Sequence, residues 1–107
     1  MTIDEEARFM ADGLILEFEG IGVEKYKEVS DALGVNMETG EGAPEGQLFH
    51  GAGAKEGGLV VFEIWRSKED QARFMEERLG KALQESGVTG PPSRMEWLDL
   101  TAYFNLG

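Results

Sequence analysis

The chain has 107 residues and carries 21 Asp and Glu against 10 Lys and Arg, which gives a formal net charge of -11. A chain of this length has enough interior for one hydrophobic core, so a single domain is expected. The negative charge repels phosphate backbones and anionic bilayers, which excludes nucleic acid and membrane surfaces as partners. The absence of cysteine excludes disulfides, thiolate metal sites and cysteine nucleophiles, and it fits a reducing cytoplasm.

The amino-terminal residues also favour a cytoplasmic protein. Asp4, Glu5 and Glu6 stand where a secretory signal needs basic residues followed by an apolar run. No stretch of the sequence has the length and apolar composition of a membrane span. We expect residues 1–12 to form a charged arm and residues 13–107 to form the domain.

The first half of the chain predicts a strand, a short helix and a loop. Residues 14–18 are a compact apolar run between turn residues, which indicates a buried strand. Apolar residues recur at helical spacing over residues 23–33, and Gly34 follows where a left-handed C-cap residue belongs. Residues 37–46 combine glycine and proline with acids and predict a loop.

The second half predicts a hairpin, a helix and a final strand. Residues 47–51 and 59–65 are strand-like runs joined by a glycine-rich turn. Ser67 lies three residues before Asp70, a spacing typical of a capped helix start. The apolar stripe of this helix is expected to be Ala72, Met75, Leu79, Ala82 and Leu83. Gly87 then ends the helix, and the last strand is predicted from about residue 95 to 104.

The predicted order is therefore βαββαβ. Two right-handed crossovers place both helices on one face of a four-stranded antiparallel sheet whose middle strands are the first and the third. This is an α+β arrangement with ferredoxin-like topology.

Both faces of this sheet carry apolar side chains. Along the third strand Val60, Phe62 and Ile64 point to one face, and the residues between them point to the other. Two short helices cover only one face, so we expect the other face to be exposed in a single copy of the chain. The exposed patch is predicted to be Leu59, Val61 and Trp65, with Ile15 from the first strand and Trp97 from the last.

Such a patch predicts a homodimer in which two sheets face each other and form a dimeric α/β barrel. The alternative is that the amino-terminal arm folds over the patch. The arm offers only Ile3, Phe9 and Met10 for this purpose.

The sequence resembles a known superfamily. The features that carry the resemblance are the βαββαβ order, the Leu48-Phe49-His50 strand, the Phe62-Glu63-Ile64-Trp65-Arg66-Ser67 junction between a strand and a capped helix, and the Phe74-x4-Leu79 helix. The chain resembles the dimeric α/β-barrel superfamily, which includes antibiotic biosynthesis monooxygenase-like domains and stress-responsive barrel proteins. The resemblance implies a ligand pocket between sheet and helices or inside the barrel. Its members range from cofactor-free monooxygenases and isomerases to haem-degrading enzymes and proteins without known activity.

The haem-degrading members imply a residue set that this sequence lacks. Those enzymes use an Asn on the first strand, a Trp on the third strand and a His on the second helix. The sequence offers Trp65, but it has neither the Asn nor the helical His. We therefore expect no cofactor.

Two carboxylates interrupt the apolar strands. Glu17 and Glu63 lie on the two middle strands, and we expect them to share a cavity on the face opposite the helices. Burial and like charge would then raise at least one pKa, which suits a general acid or base. The alternative is that both lie at the solvated mouth of the barrel or pair with Arg66, Arg94 or a Lys of the partner copy.

His50 is the only histidine of the chain. Histidine titrates near pH ~6.5 in model peptides, so His50 is a candidate pocket residue for proton transfer. One histidine cannot build a multi-His metal site, and a strand histidine with a purely structural hydrogen bond is the alternative. Trp65 and Trp97 are candidates for stacking on a flat aromatic ligand or for anchoring an interface. Val61 and Ile15 are further candidates for contact with the ligand.

Three functions remain open at this point. The first is a small-molecule-binding homodimer, and the second is a cofactor-independent monooxygenase or isomerase for an aromatic or polyketide-like substrate. The third is a structural interaction module without catalysis. A closed, hydrated pocket with His50 beside Glu63 would favour the enzyme. An interior packed solid by Trp65 and Trp97 would count against it and favour the module.

Overall fold

The computed structural model of the protein describes residues 11–104. Residues 1–10 lie outside this range, and with them most of the predicted arm and its proposed packing on the sheet. The strands are β1 (Asp12–Glu19), β2 (Gln47–Lys55), β3 (Gly58–Trp65) and β4 (Arg94–Asp99). The helices are α1 (Val23–Leu33), α2 (Lys68–Phe74) and α3 (Gly80–Glu85), and a π-helical turn (Met75–Leu79) joins α2 to α3.

The strands form one antiparallel sheet in the order β2-β3-β1-β4. The helices pack on one face of it, because side chains from α1, α2 and the π-helical turn contact the same core cluster as β1 and β3. The predicted ferredoxin-like α+β fold is confirmed. Within residues 11–104, no helix combines the length and the apolar composition that crossing a membrane requires.

Two strand ends differ from the prediction. β2 continues to Lys55, so the hairpin turn is short and Gly57 takes a φ of 77°. The glycine and alanine residues of β2 have little strand propensity, and their pairing with β3 keeps them in the sheet. β4 ends at Asp99 rather than near residue 104, because Asp99 pairs with Asp12 and β1 begins there.

The helix boundaries follow local chemistry. Gly34 has a φ of 79°, and the N–H of Val35 donates to the Ser30 carbonyl at 3.0 Å, which confirms the predicted C-cap. Ser67 accepts the Asp70 N–H at 3.2 Å, which confirms the predicted helix start.

The buried side of the second helix begins one residue earlier than the predicted stripe. Gln71 and Phe74 are buried, whereas Ala72 and Met75 are exposed. Phe74 takes the core position because its ring packs against Trp65, with 5.8 Å between the ring centroids.

The face of the sheet that the helices cover is the opposite of the predicted one. Trp65 is fully buried, and Leu59 and Val61 are 3% and 5% exposed, because all three belong to the core under the helices. Trp97 packs partly buried against the same core. The prediction of an exposed patch was therefore wrong for these four residues, since alternation separates the two faces but does not say which one the helices cover.

The uncovered face, here called the open face, is formed by the alternate residues. Ile15 pairs with Phe62 in the sheet register, and both point away from the core residues Leu14 and Val61. Of the predicted patch, only Ile15 lies on the open face. Its neighbours there on β3 are Val60, Phe62 and Ile64.

A buried carboxylate anchors the start of α2. The side chain of Asp70 accepts hydrogen bonds from Arg66 Nε at 2.8 Å and from Arg73 Nη1 at 2.9 Å. Hydrogen bonding to Arg66 is the main reason that the pKa of Asp70 falls from 3.8 to about 2, and with bonds from Ser67 and Arg73 it outweighs the opposing effect of burial. A side chain at Gly46, where φ is +89°, would lie 2.5 Å from the Asp70 carboxylate.

We expect Asp70 to make stability depend on pH in the acid range. Because its pKa is lower in the folded chain, the carboxylate stabilises the folded state above pH ~4 and this contribution is lost as pH falls towards 2. Melting temperatures of the wild type and Asp70→Asn should therefore differ most above pH ~5 and converge below pH ~3. Asp31→Asn, at an exposed position, serves as the control. A difference that stays constant down to pH ~2 would contradict this account.

Candidate functional site

A cavity of about 600 Å³ lies between the sheet and the helices. This volume is within the range of small-molecule sites in proteins. Apolar side chains from both layers form most of its wall, among them Leu16, Phe18, Val29, Leu33, Val61 and Phe74. The loop between α1 and β2 closes one side with Met37, Ala43 and Pro44.

Two polar residues of the wall lie next to each other on neighbouring strands. His50 of β2 and Glu63 of β3 are partners in the sheet register, so their side chains share the face under the helices. His50 Nδ1 lies 2.9 Å from Glu63 Oε2. The wall of the cavity therefore contains His50 and Glu63 side by side.

Glu63 is 6% exposed and held by further donors. Trp65 Nε1 donates to Glu63 Oε1 at 2.9 Å, and Gln47 Nε2 donates to Oε2 at 3.1 Å. A neutral His50 ring that donates its Nδ1 proton to an ionised Glu63 presents Nε2 as an acceptor. The carboxylate thus orients the ring and its tautomer.

An irregularity in β2 makes this arrangement possible. Gln47 pairs with Trp65 and His50 pairs with Glu63, with a β-bulge between Gln47 and Phe49. Residues three apart on a regular strand point to opposite faces, but the extra residue of the bulge returns both side chains to the same face. Gln47 and His50 therefore reach the same carboxylate.

Tyr26 of α1 completes the chain of hydrogen bonds. Its Oη lies 2.5 Å from His50 Nε2, and the two rings stack with 5.8 Å between their centroids. Burial raises the pKa of Tyr26, and the charge of Glu63 raises it further, while a hydrogen bond to Ser30 offsets part of this. Tyr26 therefore keeps its proton and donates it to His50. We call Tyr26, His50 and Glu63 the relay.

Sequence reasoning missed Tyr26, which it placed only on the apolar stripe of the first helix. A tyrosine on a stripe that faces the sheet is the signal that was available, because its hydroxyl needs a polar partner when it is buried. The identity of that partner depends on how α1 lies across β2.

Glu17 does not belong to the relay. Its register partner is Val60, three residues from Glu63, so the two carboxylates lie on opposite faces of the sheet. The prediction that they share a cavity was wrong, and the alternative of an ion pair with Arg94 is what the structure has. Lys55 Nζ and Arg94 Nη1 lie 2.7 and 2.9 Å from its oxygens, and these hydrogen bonds lower the pKa of Glu17.

The predicted ligand-contacting residues are distributed differently. Val61 lines the cavity, whereas Trp65, Trp97 and Ile15 do not. Trp65 instead supports Glu63, and the ring of Trp97 has Lys68 Nζ 5.7 Å from its centroid. Within the described part of the chain, no three potential metal-binding side chains are grouped together.

Solved structures match nearly the whole chain, although neither a protein-family model nor a curated protein matches the sequence. A protein of unknown function from Nitrosomonas europaea is 16% identical, with a TM-score of 0.67 over 94% of this chain and 98% of that one. A protein assigned as an antibiotic biosynthesis monooxygenase from Chloroflexus aurantiacus J-10-fl is 12% identical, with a TM-score of 0.63 over 91% and 99%.

A third structure contains a ligand. The monooxygenase from the gene ActVA-Orf6 of Streptomyces coelicolor, solved with nanaomycin D, is 18% identical with a TM-score of 0.54 over 99% of this chain and 100% of that one. The chain has the fold of antibiotic biosynthesis monooxygenase-like proteins. The resemblance found in the sequence is thereby confirmed at the level of fold, and a function has to be argued from the site.

We expect the loss of the Glu63 charge to weaken the folded state. In Glu63→Gln the new amide cannot accept from Trp65, Gln47 and His50 together, so at least one buried donor loses its partner. The free energy of unfolding should fall by about 1–3 kcal/mol in urea denaturation. Glu56→Gln, in the exposed hairpin turn, should change it little. Equal stability of Glu63→Gln and the wild type would show that the carboxylate does not organise the site.

Proposed function

We propose that the protein binds a small aromatic, polyketide-like molecule in the cavity and removes a proton from it through the relay. The observation that carries this proposal is the continuous set of hydrogen bonds from Tyr26 through His50 to Glu63 at the wall of an apolar cavity. A buried carboxylate that orients a histidine, which in turn accepts from a hydroxyl, is the arrangement that activates hydroxyl groups in acid–base catalysis.

During abstraction the proton moves from the substrate towards His50. Tyr26 Oη takes the substrate proton while its own proton passes to His50 Nε2. Glu63 stabilises the imidazolium that forms. Because burial raises the pKa of Tyr26, a free tyrosinate is disfavoured, and the two transfers are coupled.

The cavity wall favours a ring compound whose anion is stabilised by conjugation, such as a phenol or an enolisable aromatic ketone. Bound nanaomycin D in the Streptomyces coelicolor monooxygenase supports an aromatic, polyketide-like ligand. Once formed, the substrate carbanion supplies the electrons that reduce O2. It adds O2 and takes back a proton to give a hydroperoxide, which loses water and leaves a new carbonyl at that carbon. In the absence of that reaction the carbanion is reprotonated, which gives an isomerisation when the proton returns to another carbon.

The open face supports a second proposal, that the active form is a homodimer. Ile15, Val60 and Phe62 present apolar surface there, and Phe49 beside them is 46% exposed. On this face Glu17 and Glu96 bind Lys55 and Arg94, and Glu19 lies exposed at the end of β1. A second copy of the chain would bury the apolar strip between these charged groups.

Proton abstraction can be measured with anthrone, whose methylene hydrogens exchange in D2O. The wild type should accelerate this exchange under nitrogen and consume O2 in air. His50→Ala and Tyr26→Phe should each lower the exchange rate by about 10²–10⁴-fold, the usual contribution of a general acid–base group.

The control for this experiment is Lys27→Ala, on the exposed side of the helix that carries Tyr26, and it should exchange like the wild type. Binding of anthrone without any acceleration would make the protein a non-catalytic binder. Exchange without O2 uptake would make it an isomerase.

Dimerisation is tested by light scattering. Phe62→Glu should convert a dimer into a monomer, because a charge at the centre of the apolar strip cannot be buried without a partner. Val23→Glu, at a position of α1 that is 51% exposed, should leave the dimer intact. A monomeric wild type at high protein concentration would contradict the proposal, and circular dichroism would show whether the variants remain folded.

A further inference from the structure

Gln71 is a buried amide that the relay does not use. It lies on α2, is 6% exposed and lines the cavity. Within residues 11–104 its side chain has no hydrogen-bond partner, whereas buried amide groups in proteins are nearly always paired. No fully enclosed side-chain nitrogen or oxygen in the described residues lacks a partner, so the amide of Gln71 keeps some exposed surface at the wall of the cavity.

Other polar side chains near this end of the core are engaged with each other. Gln47 and the indole N–H of Trp65 donate to Glu63. The next residue in the chain, Asp70, is bound to Arg66 and Arg73. A molecule in the cavity can therefore supply the partner of the Gln71 amide.

The charge around the cavity decides which kind of partner fits. Lys25 lines the wall, but its Nζ is bound to Glu28 at 2.8 Å and to the Ser86 carbonyl at 2.7 Å. Glu63 adds a negative charge on the opposite layer. A carboxylate or phosphate on the ligand would find no free cation on the described wall, and a neutral carbonyl or hydroxyl would be favoured.

We infer that Gln71 binds a neutral oxygen of the ligand, and that this oxygen is a ring carbonyl. The relay acts on the acidic position of the same molecule. This inference rests on the proposed function and narrows its substrate class to uncharged ring compounds that carry a carbonyl conjugated with an acidic C–H or O–H. The amide N–H donates to the carbonyl oxygen, which becomes more negative as the proton leaves. A ligand with the same rings but no oxygen forms no hydrogen bond with Gln71 and binds without that contribution to affinity.

The inference can be tested by binding alone, with two probes of the same ring skeleton. Anthrone has a ring carbonyl, and 9,10-dihydroanthracene does not. In equilibrium dialysis under nitrogen the wild type should bind anthrone about 3- to 10-fold more tightly, the usual effect of one net hydrogen bond. Gln71→Leu should abolish this preference and bind 9,10-dihydroanthracene at least as tightly as the wild type does.

Undiminished binding of 9,10-dihydroanthracene by Gln71→Leu would show that Gln71 contacts the ligand and is not needed to keep the cavity folded. A Gln71→Leu variant that loses both probes equally, or that still prefers anthrone, would overturn the inference, as would failure of the wild type to bind either probe. Gln84→Leu, an exposed glutamine of α3, should keep the preference.

His50→Ala should also bind anthrone more tightly than 9,10-dihydroanthracene, because removing the imidazole affects proton transfer and leaves the Gln71 amide in place. If the wild type binds anthrone more tightly than 9,10-dihydroanthracene but does not accelerate proton exchange, the proposed catalysis is refuted and the role of Gln71 stands. If the wild type accelerates exchange but binds both probes equally, the role of Gln71 is refuted and the catalysis stands.

Discussion

The carboxylate of Glu63 is the group on which the site depends. It lies on a central strand, beneath the helices, where a charged group without partners would be strongly unfavourable. Three donors from two strands converge on it, namely Gln47, His50 and Trp65. Each of these bonds both stabilises the charge and fixes a donor, so that the largest core side chain and the only histidine of the chain are held by the same two oxygen atoms.

The cavity exists because the space between the layers is filled unevenly. Trp65 and Phe74 pack against each other and fill the interior between β3 and α2. Towards α1 and the α1–β2 loop the space between the layers stays open and forms the cavity. Arg78, in the π-helical turn, donates to the Leu33 and Gly42 carbonyls at 2.8 and 3.0 Å and so ties the loop to the helical layer. Such π-helical turns occur frequently at functional sites.

The two faces of the sheet differ in what they contact. The covered face supplies both the core and the residues His50 and Glu63, and the open face keeps an apolar strip flanked by the ion pairs of Glu17 and Glu96. A chain with a net charge of -11 repels its own copy, and Lys55 and Arg94 offset part of that repulsion on the open face.

Local patterns were sufficient for the fold. The apolar runs, the helical spacing, Gly34 and Ser67 each reflect interactions within a few residues, and together they predicted the order of elements and the antiparallel sheet. His50 and Glu63 were also recognisable, since a lone histidine and an acid inside an apolar strand are unusual. The tertiary structure alone decided which face the helices cover, which placed Trp65 in the core and separated Glu17 from Glu63. It also decided that a bulge brings Gln47 beside His50 and that α1 places Tyr26 against the imidazole. These outcomes depend on strand register and on packing between layers, which arise from contacts between residues far apart in the chain.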